Sequence, residues 1–140
     1  MILRILLISM LLAGWVQLAP SPQDIQAKKF EAVPDKAVIY LVRDYPDFSD
    51  IAATIWLGDS VRITTYPGTF YRWEVAPGKH RITGYGSDIG TITVESERGR
   101  IYFVLQRLAP FQNHARSHFS LVAEPIGRAA VRRAELVGGR

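Results

Sequence analysis

From Ala37 onward the chain breaks into short runs of β-branched and aromatic residues separated by glycine and proline, and this punctuation constrains the fold more than any other feature. The runs are Ala37–Arg43, Ala53–Leu57, Val61–Thr65, Phe70–Val75, His80–Thr83, Thr91–Glu95, Ile101–Gln106 and Phe119–Ala123. Within several of them apolar residues alternate: Ile92 with Val94, and Phe119 with Leu121 and Ala123. Period-two spacing puts each set on one face of a pleated strand, which must be buried against a second layer. Gly58-Asp59, Pro67-Gly68 and Pro77-Gly78 supply the φ values that tight reversals need. The pattern predicts an all-β fold, an antiparallel β-sandwich of seven to eight strands.

The ends of the chain read differently. Ile126–Val137 combines alanines and Leu136 with Arg128, Arg132 and Arg133, which predicts a short C-terminal helix with a basic side. Met1–Ala19 carries one charge, Arg4, and then the apolar run Ile5–Val16. This run is shorter than the roughly 20 residues a bilayer-spanning helix needs and fits the helix of a secretory signal. Pro20 and Gln17 suit a signal peptidase poorly, which leaves an uncleaved N-terminal anchor as the alternative. Residues 20–35, with Pro20 and Pro22 holding them extended, read as a spacer, so the domain proper is expected over 36–140. Periplasmic or secreted localisation follows as an expectation.

The chain has no cysteine, so disulfide scaffolds, thiol nucleophiles and zinc ribbons are excluded. The net charge of +4 is too small to announce a nucleic-acid binder. It conceals an uneven distribution. Residues 20–97 sum to −3, whereas residues 98–140 sum to +6. A basic C-terminal segment could face anionic lipid or phosphate, and a solvated helix face is its plainer reading.

Val42-Arg43-Asp44, Ile55-Trp56-Leu57-Gly58-Asp59, Gly68-Thr69-Phe70-Tyr71, Pro77-Gly78-Lys79-His80, Glu97–Val104 and Leu121-Val122-Ala123-Glu124 occur in an order that resembles the domain-of-unknown-function family 2846, small envelope proteins of bacteria. The resemblance runs from Lys36 to Leu136 and implies a periplasmic β-sandwich without an assigned activity. Many such proteins look like lipoproteins. Here Trp15 stands where Leu12-Ala13-Gly14 would be followed by the lipid-bearing cysteine, so lipidation is not expected.

Sites of chemistry are sparse. His80 alternates with Ile82 and reads as a packed, hydrogen-bonded histidine. His114 and His118 would share a helix face, but Ala115 stands where a zinc protease has glutamate, and the surrounding residues suit a loop. Asp44, Asp47 and Asp50 are spaced by three, unlike a calcium loop. Glu95 and Glu97 would lie about 7 Å apart on one strand, with nothing apolar beside them to raise a carboxyl pKa. The glycine-rich Gly84–Gly90 fits neither a nucleophile elbow nor a phosphate loop.

Aromatic residues are the remaining candidates. Tyr66, Phe70, Tyr71, Trp73 and Tyr85 gather around two turns with Arg72 and Arg81. Tyr71 and Trp73 alternate with Arg72 and are either inward-facing core or an exposed strip for sugar rings or a partner protein. The expected function is that of a non-catalytic envelope module binding a protein or glycan. Tyr71, Arg72, Trp73, Arg128 and Arg132 are its candidate contacts, with no cofactor, metal or nucleic acid. An envelope component that oligomerises through a free sheet edge, and a small metal-assisted hydrolase using His80 or His114 with His118, are the alternatives.

Overall fold

The computed structural model describes residues 20–84 and 90–137; the N-terminal signal or anchor, Tyr85 and most of the glycine-rich stretch lie outside them. Eight strands occupy the sequence runs, the first six within two residues of the expected ends and the last two reaching further into one long hairpin: β1 (Ala37–Arg43), β2 (Ala53–Leu57), β3 (Val61–Thr65), β4 (Thr69–Val75), β5 (Gly78–Gly84), β6 (Thr91–Ser96), β7 (Ile101–Phe111) and β8 (His114–Val122). Two helices, α1 (Pro22–Ala27) and α2 (Glu124–Arg133), flank them, and a two-residue strand, β9 (Glu135–Leu136), ends the order. One sheet has the order β8-β7-β1-β4-β9 and the other β3-β2-β5-β6.

The sheets face each other across a core that includes Ile39, Leu41, Ile55, Leu57, Ile82 and Val104. The opposite face of the five-stranded sheet is covered by the helices. There Val38, Tyr40, Phe70 and Phe103 meet Ala27, Phe30 and Val131. β1 lies between the two cores, so all seven of its residues are buried. Burial on both faces explains why this run is continuously apolar up to Arg43 rather than alternating.

The fold is all-β and sandwich-like, but not wholly antiparallel. β1 pairs parallel to β7, Val38 opposite Ile101 and Val42 opposite Leu105, and β9 pairs parallel to β4. Hairpin signals report only on strands consecutive in sequence. The chain instead crosses to the four-stranded sheet and back between β1 and β4, and again between β4 and β7.

The expected extended spacer is in part helical. Ser21 caps α1, its Oγ accepting the Asp24 N–H at 3.1 Å, and Pro22 opens the first turn, where a missing N–H costs nothing. Asp24 then reaches the other end of the chain: its Oδ2 accepts the Leu136 N–H at 2.9 Å. The Lys28 ammonium, 2.8 Å from Asp24 Oδ1, donates to the Ala134 carbonyl at 2.7 Å. Ala27 and Phe30 are core residues, so this segment packs as part of the domain. The predicted C-terminal helix begins two residues earlier than expected and stops at Arg133, giving way to β9. Gly127 sits where a Cβ would lie 2.2 Å from Phe103 Cγ, so glycine alone allows α2 this approach to the sheet.

Candidate functional site

β4 places Tyr71 and Trp73 on one face and Arg72 and Glu74 on the other. Tyr71 and Trp73 are half-buried against the inter-sheet core. The Trp73 ring meets His80 edge-on at 5.4 Å, and His80 Nε2 lies 2.6 Å from the Ala76 carbonyl oxygen. Both rings are thus occupied by packing rather than presented as an open platform. On the other face the Arg72 guanidinium donates to Glu74 at 2.7 Å and reaches the Glu31 carbonyl at 3.5 Å. Burial works against its charge. Glu74 and the neighbouring Tyr40 hydroxyl outweigh that effect and raise its pKa.

A cleft of about 630 Å³ runs along this strand, lined by Tyr71, Arg72 and Glu74, by the Gln23–Ala27 side of α1, by Glu31–Val33 and by Leu136 and Val137. Tyr71 and Arg72 point to opposite faces of the sheet yet border one cleft. That is possible only where the cleft lies on the edge of the strand. β9 covers this edge at Thr69 and Phe70 alone, so among the described residues Tyr71–Val75 have a strand partner only on the β1 side. Walls of Ala27, Ala32, Val33 and Leu136 are apolar, and Gln23, Gln26, Glu31 and Arg72 add polar groups.

The other two candidate residues do not join Tyr71 and Trp73. Arg128 and Arg132 lie on α2, across the five-stranded sheet, and both stack over Phe30, at 4.9 and 5.4 Å from its ring centre. Arg128 also pairs with Glu124. Their cations serve the packing of Phe30, which carries a positive φ of 54°. The expected single surface of aromatic strip and basic helix is therefore divided by the sheet.

Other sequence candidates separate as well. His114 and His118 are on β8 rather than in a loop. They share a face, but four strand residues span about 13 Å, too far for one metal ion. Glu95 pairs with Lys79 and Glu97 with Arg100, all exposed. Of the three aspartates, Asp47 pairs with Arg43 and Asp44 with Arg133. No group of three or more His, Cys, Asp or Glu side chains placed to hold a metal occurs among the described residues. None of their helices is long and apolar enough to cross a membrane.

Two features went unread in the sequence. The cleft is one, because it needs α1 and β9 beside β4. The other is Arg43, wholly buried, whose guanidinium donates to Asp47 and to the carbonyls of Ser49, Ile51 and Thr65. A lone arginine ending a run of six apolar residues, with aspartate four residues on, was its available signal.

No protein-family model matches the chain, and no curated protein matches it.

Proposed function

We propose that this chain is an exported, non-catalytic binding module of the bacterial envelope that takes up an extended polypeptide segment beside β4. The observation that carries the reading is the cleft on the Tyr71–Val75 edge, which among the described residues has no strand partner beyond the Phe70–Leu136 pair with β9. An extended peptide in that lane would prolong the sheet with main-chain hydrogen bonds, while the apolar walls and the Arg72–Glu74 pair would select its side chains. A peptide is favoured over a glycan because Tyr71 and Trp73 are engaged in the core and with His80. The non-catalytic reading draws on the separation of His80, packed against Trp73, from His114 and His118, which lie about 13 Å apart along β8.

Membership of the domain-of-unknown-function family 2846 is part of the same proposal and rests on the order of turns and strands given above. Export by Met1–Ala19, argued from the apolar run Ile5–Val16, and the absence of lipid, argued from Trp15, belong to it too. Intact mass and fractionation of the native protein test them: a retained lipid or a cytoplasmic location contradicts the reading.

The test of binding is a selection of random extended peptides on the full chain and on an Ala32→Trp variant, which fills the cleft. Selected peptides should bind the parent at least tenfold more tightly, roughly the discrimination of one well-placed contact, and shift the amide resonances of Tyr71–Val75. Peptides indifferent to Ala32→Trp, or shifts centred elsewhere, contradict it. A concentration-dependent dimer lost in the same variant would instead assign the edge to a second copy of the chain.

A further inference from the structure

α2 covers the outer face of β7 around Phe103, and among the described residues nothing covers the far half of the β7–β8 hairpin. Register fixes what stands there. His118 is opposite Arg107, Arg116 opposite Ala109, and His114 opposite Phe111. Directly opposed residues share a face with Cβ atoms about 5 Å apart. One exposed ribbon face thus carries Arg107, Arg116, His114, His118 and Phe111 and no carboxylate. The opposite face, with Leu108, Ser117 and Phe119, is buried towards the other sheet.

The surroundings extend the same character. Arg116 stacks on Phe111, 5.4 Å from the ring centre, which keeps the aromatic tip and the cation side by side. Arg107 and Arg133 flank Asp44, whose single charge is answered by the Arg133 guanidinium at 2.7 Å. The adjoining loop at 44–52 presents Tyr45, 68 % exposed, and Phe48, 61 % exposed. Its position is fixed: Asp47 accepts the Leu108 N–H through both carboxylate oxygens, at 3.1 and 3.2 Å, while holding the buried Arg43. Large apolar side chains project singly from a braced backbone, with Arg107 and Arg133 beside Asp44 at its start and Asp50 as its one other exposed carboxylate.

The geometry points to this end of the sandwich, the outer β7–β8 face with Tyr45 and Phe48, as a docking surface for an anionic phospholipid bilayer. Arg107 and Arg116 meet headgroup phosphates, and Phe111, Tyr45 and Phe48 enter the interfacial layer. Aromatic rings favour that layer, and an anionic surface attracts each nearby arginine by about a fivefold gain in affinity. Projecting side chains suit a soft interface better than a concave or flat protein partner. The surface is separate from the β4 cleft, which is bordered by α1 and β9.

The absence of cysteine makes a direct test available in the full chain. Asn113→Cys places a fluorophore at the hairpin tip, and Ser60→Cys places one at the β2–β3 turn, which caps the other end of the sandwich. With vesicles containing phosphatidylglycerol and brominated lipid, the label at 113 should be quenched, and the label at 60 should not. Phosphatidylcholine vesicles should quench neither. Arg107→Glu with Arg116→Glu should weaken the effect by at least about 25-fold, the loss of two arginines at about fivefold each, with repulsion of the two new carboxylates adding to it. Arg62→Glu with Arg81→Glu makes the same change in net charge elsewhere and should leave it within about twofold. Raising the salt to about 0.5 M should weaken binding of the parent, a result that needs no variant to fold. No quenching at 113, equal quenching on neutral vesicles, or an equal loss in both charge-reversal variants overturns the inference. Peptide binding at the β4 cleft is read from different residues, so either proposal can fail alone.

Discussion

Arg43 and Asp47 form an ion pair from which water is excluded: Nε donates to Oδ2 at 2.7 Å, and the two side chains are 0 % and 2 % exposed. The guanidinium also satisfies the carbonyls of Ser49, Ile51 and Thr65, so one side chain ties the loop at 44–52 to the ends of β1 and β3. Replacing Arg43 by methionine would leave a buried carboxylate without its cation and three carbonyls without that donor. A loss of about 3–5 kcal/mol is expected in urea unfolding followed by tryptophan fluorescence. Arg43→Met with Asp47→Leu should recover part of it, because both charges then leave together. A single-variant cost below about 1 kcal/mol would show that water reaches the pair.

Gly127 offers a test decided by sign. In a solvent-exposed helix, alanine is better than glycine by about 0.8–1 kcal/mol. Here the added Cβ would meet Phe103 Cγ at 2.2 Å, Cβ at 2.3 Å and Cδ1 at 2.6 Å, all within the packed aromatic core. Phe103 is stacked on Tyr40 at 5.2 Å and cannot swing aside freely. Gly127→Ala should therefore destabilise by about 1–3 kcal/mol, the usual cost of overpacking. An increase in thermal midpoint would mean that α2 can lift without loss.

Thr65, Gln106 and Ser117 make a polar link inside the sandwich. Thr65 Oγ1 is 2.8 Å from Gln106 Oε1, and Gln106 Nε2 is 3.4 Å from Ser117 Oγ, all three residues being buried. Thr65→Val keeps the shape but leaves Gln106 Oε1 without a donor, which should cost about 1–3 kcal/mol. Adding Gln106→Leu should return a measurable part of that. Equal chemical-denaturation midpoints for the single and double variants would contradict a coupled network.

The strands were legible because each run advertises both its period and its ends: Ile55-Trp56-Leu57-Gly58 stops where Gly58 takes a φ of 62°. Long-range pairing was not. Nothing in Val38–Val42 says that its neighbour is Ile101–Leu105 in parallel, since register between distant strands is settled by the whole core. The α1 turn was hidden by reading Pro22 as a breaker rather than as a first-turn residue behind the Ser21 cap. At the site, alternation sorted Tyr71 from Arg72 correctly. The cleft itself needed the contact between Asp24 and Leu136, two residues from opposite ends of the chain.

Tyr40 links this interior to pH. Its hydroxyl donates to the Ala27 carbonyl at 2.6 Å beneath α1, and its ring lies among Phe30, Phe70 and Phe103. Burial raises its pKa above the ordinary value of 10.0, although Arg72 and Arg128 pull the other way. A raised folded-state pKa means that the stabilisation is complete below the unfolded value near 10 and is lost as pH climbs through the folded one. Unfolding free energy should thus fall above about pH 10, and Tyr40→Phe should flatten that decline while costing about 1 kcal/mol at neutral pH for the lost hydrogen bond. Absorbance titration of phenolate should show one late-ionising tyrosine in the parent and none at that position in the variant. Identical alkaline slopes for the two proteins would mean that Tyr40 ionises without disturbing the α1 contact.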